Sequence, residues 1–458
     1  MNSDIKVSLI IPVYNGAEFI RRSFDSCIYQ TLNEIEIIAV NDCSPDNRDA
    51  EIMREYEKTY PDKFRCIFHE KNKRQGGARN TGIRAARGRY FLCVDQDDFI
   101  GFEMCEEMYE KAINEDSDIV MCGYNFCSRG TITYHEPVIC REENFEKFAP
   151  AVWRLLTRKQ FVIDNRVFFP EKVVTDDVVS ILWFMLTDKY SITSKPYYYW
   201  MRHMNAESAI VTYRYCDSVP LSFIEISHYD AYQKLPDDKK QKFAIMAAHH
   251  LYVSVINCVE YHSNKITELC SLVKTALNML DLDFTRKVFR NTLHGKIVAA
   301  ILNFVVEHLD EEDFLAAIHD FLESLIVRKI KEQLLPADPS PDVGNAPIVI
   351  WGAGIRGKRL AGFFTNGDIP FEITDSKTIL WGKKIFGRRI RPWDELKNFA
   401  HTVVFSPIRG FDEVKTVVNT NCINLLNFQD LIGDFEIYFL YINLPKPLES
   451  KKAVICAK

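Results

Sequence analysis

From residue 6 to residue 127, short apolar runs alternate with stretches in which apolar side chains recur every three or four positions. The runs are those of buried strands and the recurrences those of amphipathic helices, so the segment reads as a parallel sheet with helices packed on its faces. Four strands are expected, at residues 7–11, 35–40, 64–68 and 90–94. Between them, Phe19, Ile20, Phe24, Cys27 and Ile28 share one helical face, a second helix runs to about Lys58, and a third opens in residues 72–80 and is closed by Gly88. A fourth helix is expected over residues 102–112. In open α/β sheets ligands bind beyond the carboxyl ends of the strands, which puts Tyr14, Asp42, Gly76 and Asp97 on one rim.

The pattern changes after residue 128. Residues 148–156 and 178–186 read as helices, and the aromatic run from Pro196 to Met201 reads as a strand that opens into a polar loop at Arg202 and His203. From about residue 218 to 335 the periodicity is almost entirely helical. Pro336, Pro339 and Pro341 then forbid a continuing helix and mark a linker. Beyond it a strand at 348–351 runs into Gly352-Ala353-Gly354-Ile355-Arg356-Gly357 and a helix, and a strand at 371–374 ends at Asp375. That is a G-x-G-x-x-G fingerprint in strand-to-helix context, with an acid at about the distance of a ribose contact. A strand at 402–405 and a helix at 411–418 complete a small Rossmann-like unit. The domains expected are 1–215 (α/β), 216–335 (helical), 336–345 (linker) and 346–458 (Rossmann-like α/β).

Composition narrows the setting. The net charge of −6 gives no reason to expect nucleic acid as a partner. The 13 cysteines lie scattered in apolar segments without C-x-x-C spacing, and Met1-Asn2-Ser3-Asp4 begins no signal peptide, so reduced thiols in a cytoplasm are expected. No apolar run approaches the roughly 20 residues of a spanning helix. The longest candidate, 297–306, is short and contains Asn303. Any membrane association is then peripheral, at the inner face.

The strand at 90–94 ends in Asp95-Gln96-Asp97-Asp98, three carboxylates in four residues. Such charges are not buried unpaired, so either a cation compensates them or they form a polar turn capping the next helix. Hard oxygen ligands favour Mg²⁺ or Mn²⁺, and those ions favour a phosphate-bearing substrate. The metal is placed mainly on Asp97, with Asp95 near the ribose or a metal-bound water and Asp98 as a cap. Pro12 and Tyr14 offer a flat apolar surface to a base, and Asp42 an acceptor for a ring N–H. The plainer roles are packing for Tyr14 and N-capping for Ser44 and Asp46. Gly76 and Gly77 permit close backbone approach; Arg79 either meets phosphate charge or pairs with a carboxylate. Asp176 and Asp177 open an apolar helix, where one carboxylate suffices as cap. The other, Asp177, is assigned as the base that takes the proton of an acceptor hydroxyl.

Four motifs then fall in order: Ser8 to Asn15 (SLIIPVYN), Asn41 to Asn47 (NDCSPDN), Ala78 to Gly82 (ARNTG) and Asp95 to Asp98 (DQDD). Together they resemble the family 2 glycosyltransferases of GT-A fold, over about residues 5–210, including Trp153-Arg154-Leu155 and Thr175-Asp176-Asp177. The resemblance implies inverting transfer from a nucleotide-activated sugar, usually a UDP-sugar, to a hydroxyl acceptor with Mn²⁺ or Mg²⁺. It implies nucleoside contacts at Pro12, Tyr14 and Asp42, with Asn15, Ser44, Gly76 and Arg79 completing the nucleotide-sugar rim. Asp95 and Asp97 look like the donor and metal site, Asp177 the base, and Arg202, His203 and Ser208 the segment closing over the diphosphate. Asn41 stands where an acid is frequent, and Asp176-Asp177 replaces the more usual Glu-Asp. The partners implied are a nucleotide-sugar donor and a glycan or lipid-linked sugar acceptor in surface polysaccharide assembly.

Two other readings stay open. Gly352, Gly354, Gly357 and Asp375 are consistent with NAD, hence with a nucleotide-sugar oxidoreductase or bifunctional enzyme, or with a structural or interaction domain. A non-catalytic scaffold built on the helical middle is the other. Tyr197 to Trp200 either stack on sugar or pack, with packing expected for at least two of the four. Lys383, Lys384, Arg388, Arg389 and Arg391 either meet an anionic membrane or form a solvated loop.

Overall fold

A computed structural model describes residues 4–128, 130–138, 151–171, 173, 177–202, 212–280, 293–310, 313–334, 348–351, 355–366, 369–375, 377–385, 387–396, 401–405 and 422–427. The chain divides into two compact units, Met1–Val255 with Glu268–Thr292, and Ile256–Thr267 with Leu293–Lys458. The helices expected to form a domain of their own are thus shared between the two units.

In the first unit, β1 (Val7–Val13), α1 (Ile20–Ile28), β2 (Ile35–Asn41), α2 (Arg48–Thr59), β3 (Phe64–Phe68), α3 (Arg74–Ala85) and β4 (Tyr90–Cys93) follow one another as the periodicity predicts. β1 pairs in parallel with β2 and β4, and β2 with β3. Every residue of β1, β2 and β4 is buried, as in a parallel sheet covered on both faces. Phe24 of α1 packs edge-on to Phe64 of β3 and Tyr56 of α2, with ring centroids 4.8 and 5.1 Å apart, so the helices are anchored directly on the strands.

Pro12 lies inside β1, where a missing N–H would normally break a ladder. The Ile10 carbonyl accepts the Val94 N–H at 2.9 Å, and Pro12, two residues on, faces the same side, where β4 has ended at Cys93. No ladder bond is lost there, and the sheet opens into a crevice between the ends of β1 and β4.

The sheet continues through β5 (Phe99–Ile100), α4 (Met104–Asn114), β6 (Ile119–Ser128), β7 (Thr131–His135), β8 (Leu155–Arg158), α5 (Lys159–Asn165), α6 (Asp177–Leu186) and β9 (Tyr190–Met201). Its order is β3-β2-β1-β4-β8-β6-β9-β5, with β7 beside β6. β8 corrects the helix expected at 148–156: Val152–Arg154 form one 3-10 turn and Leu155–Arg158 a strand antiparallel to both β4 and β6. Leu155, Leu156 and Thr157 are buried together, and a strand covered on both faces has no alternation to distinguish it from a helical segment.

Helices α7 (Tyr213–Ser227), α8 (Asp230–Gln233), α9 (Asp237–Tyr261) and α10 (Ile266–Met279) follow. Within α9, Asp237–Val259 is long and apolar enough to cross a membrane by length and composition, contrary to the expectation that no run approaches that length. Buried polar and small positions interrupt its apolar runs, so inspection of the sequence missed it. Phe243, Ala247, Leu251 and Val255 recur along it and are fully buried, the pattern of a core helix.

The second unit carries α11 (Leu293–His308), α12 (Phe314–Leu334), β10 (Ile348–Trp351), α13 (Ile355–Asn366), β11 (Phe371–Thr374), β12 (Lys384–Ile385), β13 (Arg388–Arg391), α14 (Trp393–Leu396), β14 (His401–Phe405) and β15 (Cys422–Asn427). The strand order is β12-β13-β11-β10-β14-β15, with β10 parallel to β11 and β14, β11 to β13, and β14 to β15. The basic run, read as either a membrane contact or a solvated loop, forms an antiparallel hairpin, β12 with β13, turned at Gly387 with φ of 77°. Arg391 on it meets Glu395 at 3.1 Å. The linker at 336–341 and the helix at 411–418 fall outside the described residues.

Candidate active site

The carboxyl ends of β1, β2 and β4 and the start of α3 are joined by a closed ring of hydrogen bonds. Gln96 Oε1 accepts the Tyr14 N–H at 2.9 Å and Gln96 Nε2 donates to the Tyr14 carbonyl at 3.0 Å, tying the β1 loop to the β4 loop. Next to Gln96, Asp95 Oδ1 receives Arg79 Nη2 at 2.7 Å and Gln75 Nε2 at 3.1 Å, both from α3. The Lys73 N–H, just ahead of α3, donates to Asp42 Oδ1 at 2.8 Å. Ser44 Oγ, two residues on, accepts the Asn15 N–H at 3.3 Å and closes the ring at β1. Tyr14 stands out of this ring with 45% of its surface exposed, and Asn15 is exposed beside it at φ of 50°.

The three carboxylates have three different environments. Asp95, 19% exposed at its side chain, is paired with the fully buried Arg79, so the protein supplies a cation of its own. Asp97 is half-buried, and its carbonyl accepts from Arg22 of α1. Asp98 is buried, receiving the Tyr198 hydroxyl at 2.8 Å and the Met201 N–H at 2.7 Å. Burial, with the charges of Asp95 and Asp97 added, pushes its carboxyl well above the usual carboxylate range. Asp98 does not cap α4, whose N-cap is Glu103. It clamps the β4 loop to β9 instead, because the strand end at Met201 offers a partly buried N–H that needs an acceptor.

Of the three acids, Asp95 is thus compensated by Arg79 and Asp98 by burial among hydrogen-bond donors. A divalent ion still fits. Asp95 and Asp97 are half-buried hard-oxygen donors on one loop, and an ion that arrives with a diphosphate needs only one or two protein carboxylates. Among the described residues no group of three or more His, Cys, Asp or Glu forms a ready-made cage.

Asp42 is buried at the end of β2. Its Oδ1 meets His69 Nδ1 at 2.7 Å besides the Lys73 N–H, and its carbonyl accepts Asn72 Nδ2 at 3.0 Å. Gly76 lies in the first turn of α3, where an added Cβ would come within 2.6 Å of the Pro170 carbonyl; the close approach made there is by the chain at Phe169 and Pro170. Arg79 is behind Asp95 with its guanidinium over the Phe169 ring at 5.7 Å. Pro12 is buried in β1, and Arg202 is exposed after β9. Of the aromatic run, Tyr197 and Tyr198 are buried while Tyr199 and Trp200 are half-buried; Tyr198 stacks on Trp153 at 4.4 Å. Asp177 is the first residue of α6. Its side chain, together with Asp176, His203, Ser208, Gly352 and Gly354, lies outside the described residues. Gly357 sits in α13, and Asp375 follows β11, its Oδ1 accepting the Lys377 N–H at 2.7 Å.

Four residues of this site were not singled out from the sequence. Gln96 bridges two loops, Arg22 supports the Asp97 backbone, and His69 holds Asp42. Asp49 is buried in the first turn of α2, accepts the Gly16 N–H at 3.1 Å and receives Ser44 Oγ at 2.6 Å. Only Asp49 carried a local signal, as a carboxylate in a helix first turn, and that signal has a capping explanation.

Residues 8–173 match the family model described as Glycosyl transferase family 2. The chain is 38% identical over 181 residues to EpsJ of Bacillus subtilis, named as an uncharacterized glycosyltransferase, covering 36% of this chain and 52% of that protein. It is 28% identical over 221 residues to the poly(ribitol-phosphate) beta-glucosyltransferase of Bacillus spizizenii, 46% of this chain and 34% of that one. The chain therefore matches about a third to a half of the length of these curated relatives. Among solved structures, S. aureus TarS 1-349 in complex with UDP-GlcNAc superposes with a TM-score of 0.52 at 20% identity, covering 66% of this chain and 91% of that one. At that identity the likeness speaks for the fold alone, a mixed α/β architecture.

Proposed function

We propose that the chain is an inverting glycosyltransferase that moves a sugar from a nucleoside-diphosphate donor, a UDP-sugar, to a hydroxyl of a surface-polysaccharide or lipid-linked acceptor. The observation that carries this reading is the hydrogen-bonded ring beyond the carboxyl ends of the parallel strands. It leaves the Tyr14 ring exposed and ties the loop that carries Asp95 and Asp97 to the loop that carries Tyr14. The family 2 match over these residues supports the chemistry, and the names of the ribitol-phosphate and UDP-GlcNAc-bound relatives support donor and acceptor class.

In this reading Tyr14 and Pro12 carry the base, Asp42 accepts its ring N–H, and Asp95 and Asp97 hold Mn²⁺ or Mg²⁺. The ion, when bound, offsets charge on the departing diphosphate. Arg79 orients Asp95 through its 2.7 Å bond, and the Gln96 clamp holds the two loops at a fixed spacing. Asp177 at the start of α6 takes the acceptor proton. Arg202 and His203 close over the diphosphate. The enzyme works in the cytoplasm, at the inner face of the membrane when its acceptor is lipid-linked.

Incubating the full chain with Mn²⁺ and a panel of nucleotide sugars, with release of nucleoside diphosphate as readout, tests the proposal. Release from at least one UDP-sugar is expected, lost in Asp97→Asn; Asp177→Asn is expected to bind donor and not transfer. No release and no binding across the panel overturns it. For the second unit, the strand order β13-β11-β10-β14-β15 supports a doubly wound, Rossmann-like domain with Asp375 at the end of its second strand. A structural or interaction role is the reading carried forward there; saturable NAD binding by the full chain overturns it.

A further inference from the structure

Asp42 is held by only one of its two oxygens. Oδ1 takes both the His69 Nδ1 and the Lys73 N–H, at 2.7 and 2.8 Å. Among the described residues no donor reaches Oδ2, and Oδ2 is not among the sealed buried atoms that lack a partner. A carboxylate that is 4% exposed at its side chain and keeps one oxygen open is matched by a ligand N–H arriving from the crevice.

The ring that holds Oδ1 is itself held. His69 directly follows β3, and its N–H donates to the Asn41 carbonyl at 2.9 Å, continuing the β2–β3 ladder. On its far side Nε2 meets Thr81 Oγ1 of α3 at 2.9 Å, a hydroxyl that also lies 3.0 Å from the Gly77 carbonyl and gives its one proton to either acceptor. The imidazole is 6% exposed at its side chain. A carboxylate accepts only, so Nδ1 carries the proton that it donates to Asp42. With both ring nitrogens engaged and the backbone in the ladder, the imidazole has one orientation, and Asp42 inherits it.

We infer that His69 is a positioning residue for base selection. By fixing Oδ1 through Nδ1–H it holds the Asp42 carboxylate with Oδ2 toward the nucleoside, so that the site selects bases carrying a ring N–H. Uracil and guanine have such a donor; cytosine and adenine present a lone pair at the equivalent ring nitrogen and meet the carboxylate with acceptor against acceptor. This inference rests on the reading of Asp42 as the base contact.

The test is titration of the full chain with UDP, GDP, CDP and ADP in Mn²⁺, on the wild type and on three variants. The wild type is expected to bind UDP or GDP in preference to CDP and ADP. His69→Phe fills the same space without a donor and is expected to lose about tenfold of that preference. His69→Asn places an amide N–H near the Nδ1 position and is expected to restore it, while His69→Gln, whose amide falls nearer the Nε2 position, is not. A purely structural role would lower stability in all three without a distinction between Asn and Gln. Wild type that binds none of the four nucleotides removes the underlying reading of the site. Wild type that selects UDP or GDP, with His69→Phe selecting equally well, overturns the inference. Should the Phe variant fail to fold, equal selectivity of the Asn and Gln variants overturns it.

Discussion

Gln96 and Tyr14 pair as two amides: the side-chain carboxamide of one takes the N–H and fills the carbonyl of the other, at 2.9 and 3.0 Å, across 82 residues of sequence. The middle residue of the Asp95-Gln96-Asp97 run is therefore a strut rather than a spacer. It sets the distance between the loop that displays the Tyr14 ring and the loop that displays the carboxylates. The strut needs room: a Cβ on Gly16 would come within 2.2 Å of Gln96 Oε1.

Gln96→Ala should accordingly raise the dissociation constant of UDP in Mn²⁺ about tenfold while lowering stability by only about 1–2 kcal/mol, since both bonds are solvent-accessible. Gln96→Glu has the same size and keeps the acceptor for the Tyr14 N–H, yet it opposes a carboxylate to the Tyr14 carbonyl and adds a fourth acid to the run. It should lose at least as much affinity, and Gly16→Ala should resemble both. Calorimetric titration with UDP checks all three; unchanged affinity in Gln96→Ala would refute the strut.

Asp98 is separated from its neighbours by its surroundings, and its variants should separate likewise. In Asp98→Ala the Tyr198 hydroxyl and the Met201 N–H lose their buried acceptor, which should cost about 2–4 kcal/mol by denaturant unfolding. Asp98→Asn keeps an acceptor for the Met201 N–H and should cost about 1 kcal/mol, with donor turnover within a few-fold of the wild type. A loss of turnover in folded Asp98→Asn as deep as in Asp97→Asn would mean that Asp98 itself meets the donor.

How much of this was readable beforehand depended on whether the cause was local. The parallel strands β1, β2 and β4 were, because residues such as Leu9, Ile37 and Leu92 belong to runs whose burial on both faces leaves nearly unbroken apolar sequence. The carboxylate run and the exposed Tyr14 were also visible as residue types at strand ends. The division of labour among the acids was not, because it is set by Arg79, Tyr198 and Met201, which reach Asp95 and Asp98 from 16 to 103 positions away. β8 was misread as helix for the complementary reason: Leu155 and Leu156 are buried on opposite faces, and four residues carry no period of their own.

The cysteines offer a chemical report on the rim. Burial pushes the thiols of Cys27, Cys93 and Cys122 up to about 12, and that of Cys66 likewise. At pH 8 such groups are thiolate to only about one part in ten thousand. Cys43 is exposed, next to Asp42, in a left-handed backbone conformation with φ of 62°. Among the described cysteines it should be the first alkylated by iodoacetamide at pH 8, and UDP with Mn²⁺ should slow that reaction several-fold. Peptide mapping by mass spectrometry checks the site, and labelling of Cys43 at a rate indifferent to nucleotide would place the base elsewhere.

The last prediction concerns the ion. Asp98 has both oxygens engaged and Asp95 Oδ1 receives Arg79 and Gln75, so among the described residues the loop offers at most two carboxylates to a metal, not a cage. Two carboxylates with water bind Mn²⁺ weakly; a diphosphate supplies further oxygens and completes the coordination. Metal and nucleotide should then bind as a coupled pair. UDP should tighten Mn²⁺ about tenfold or more, Mn²⁺ should tighten UDP by the same factor as linkage requires, and EDTA should reverse both. Asp97→Asn should abolish the coupling while leaving the metal-free affinity for UDP unchanged, and Asp98→Asn should leave the coupling intact. Reciprocal calorimetric titrations measure each factor. An affinity for Mn²⁺ that is high without nucleotide and unmoved by it would show that the protein completes the coordination shell by itself, against the geometry of Asp95 and Asp98.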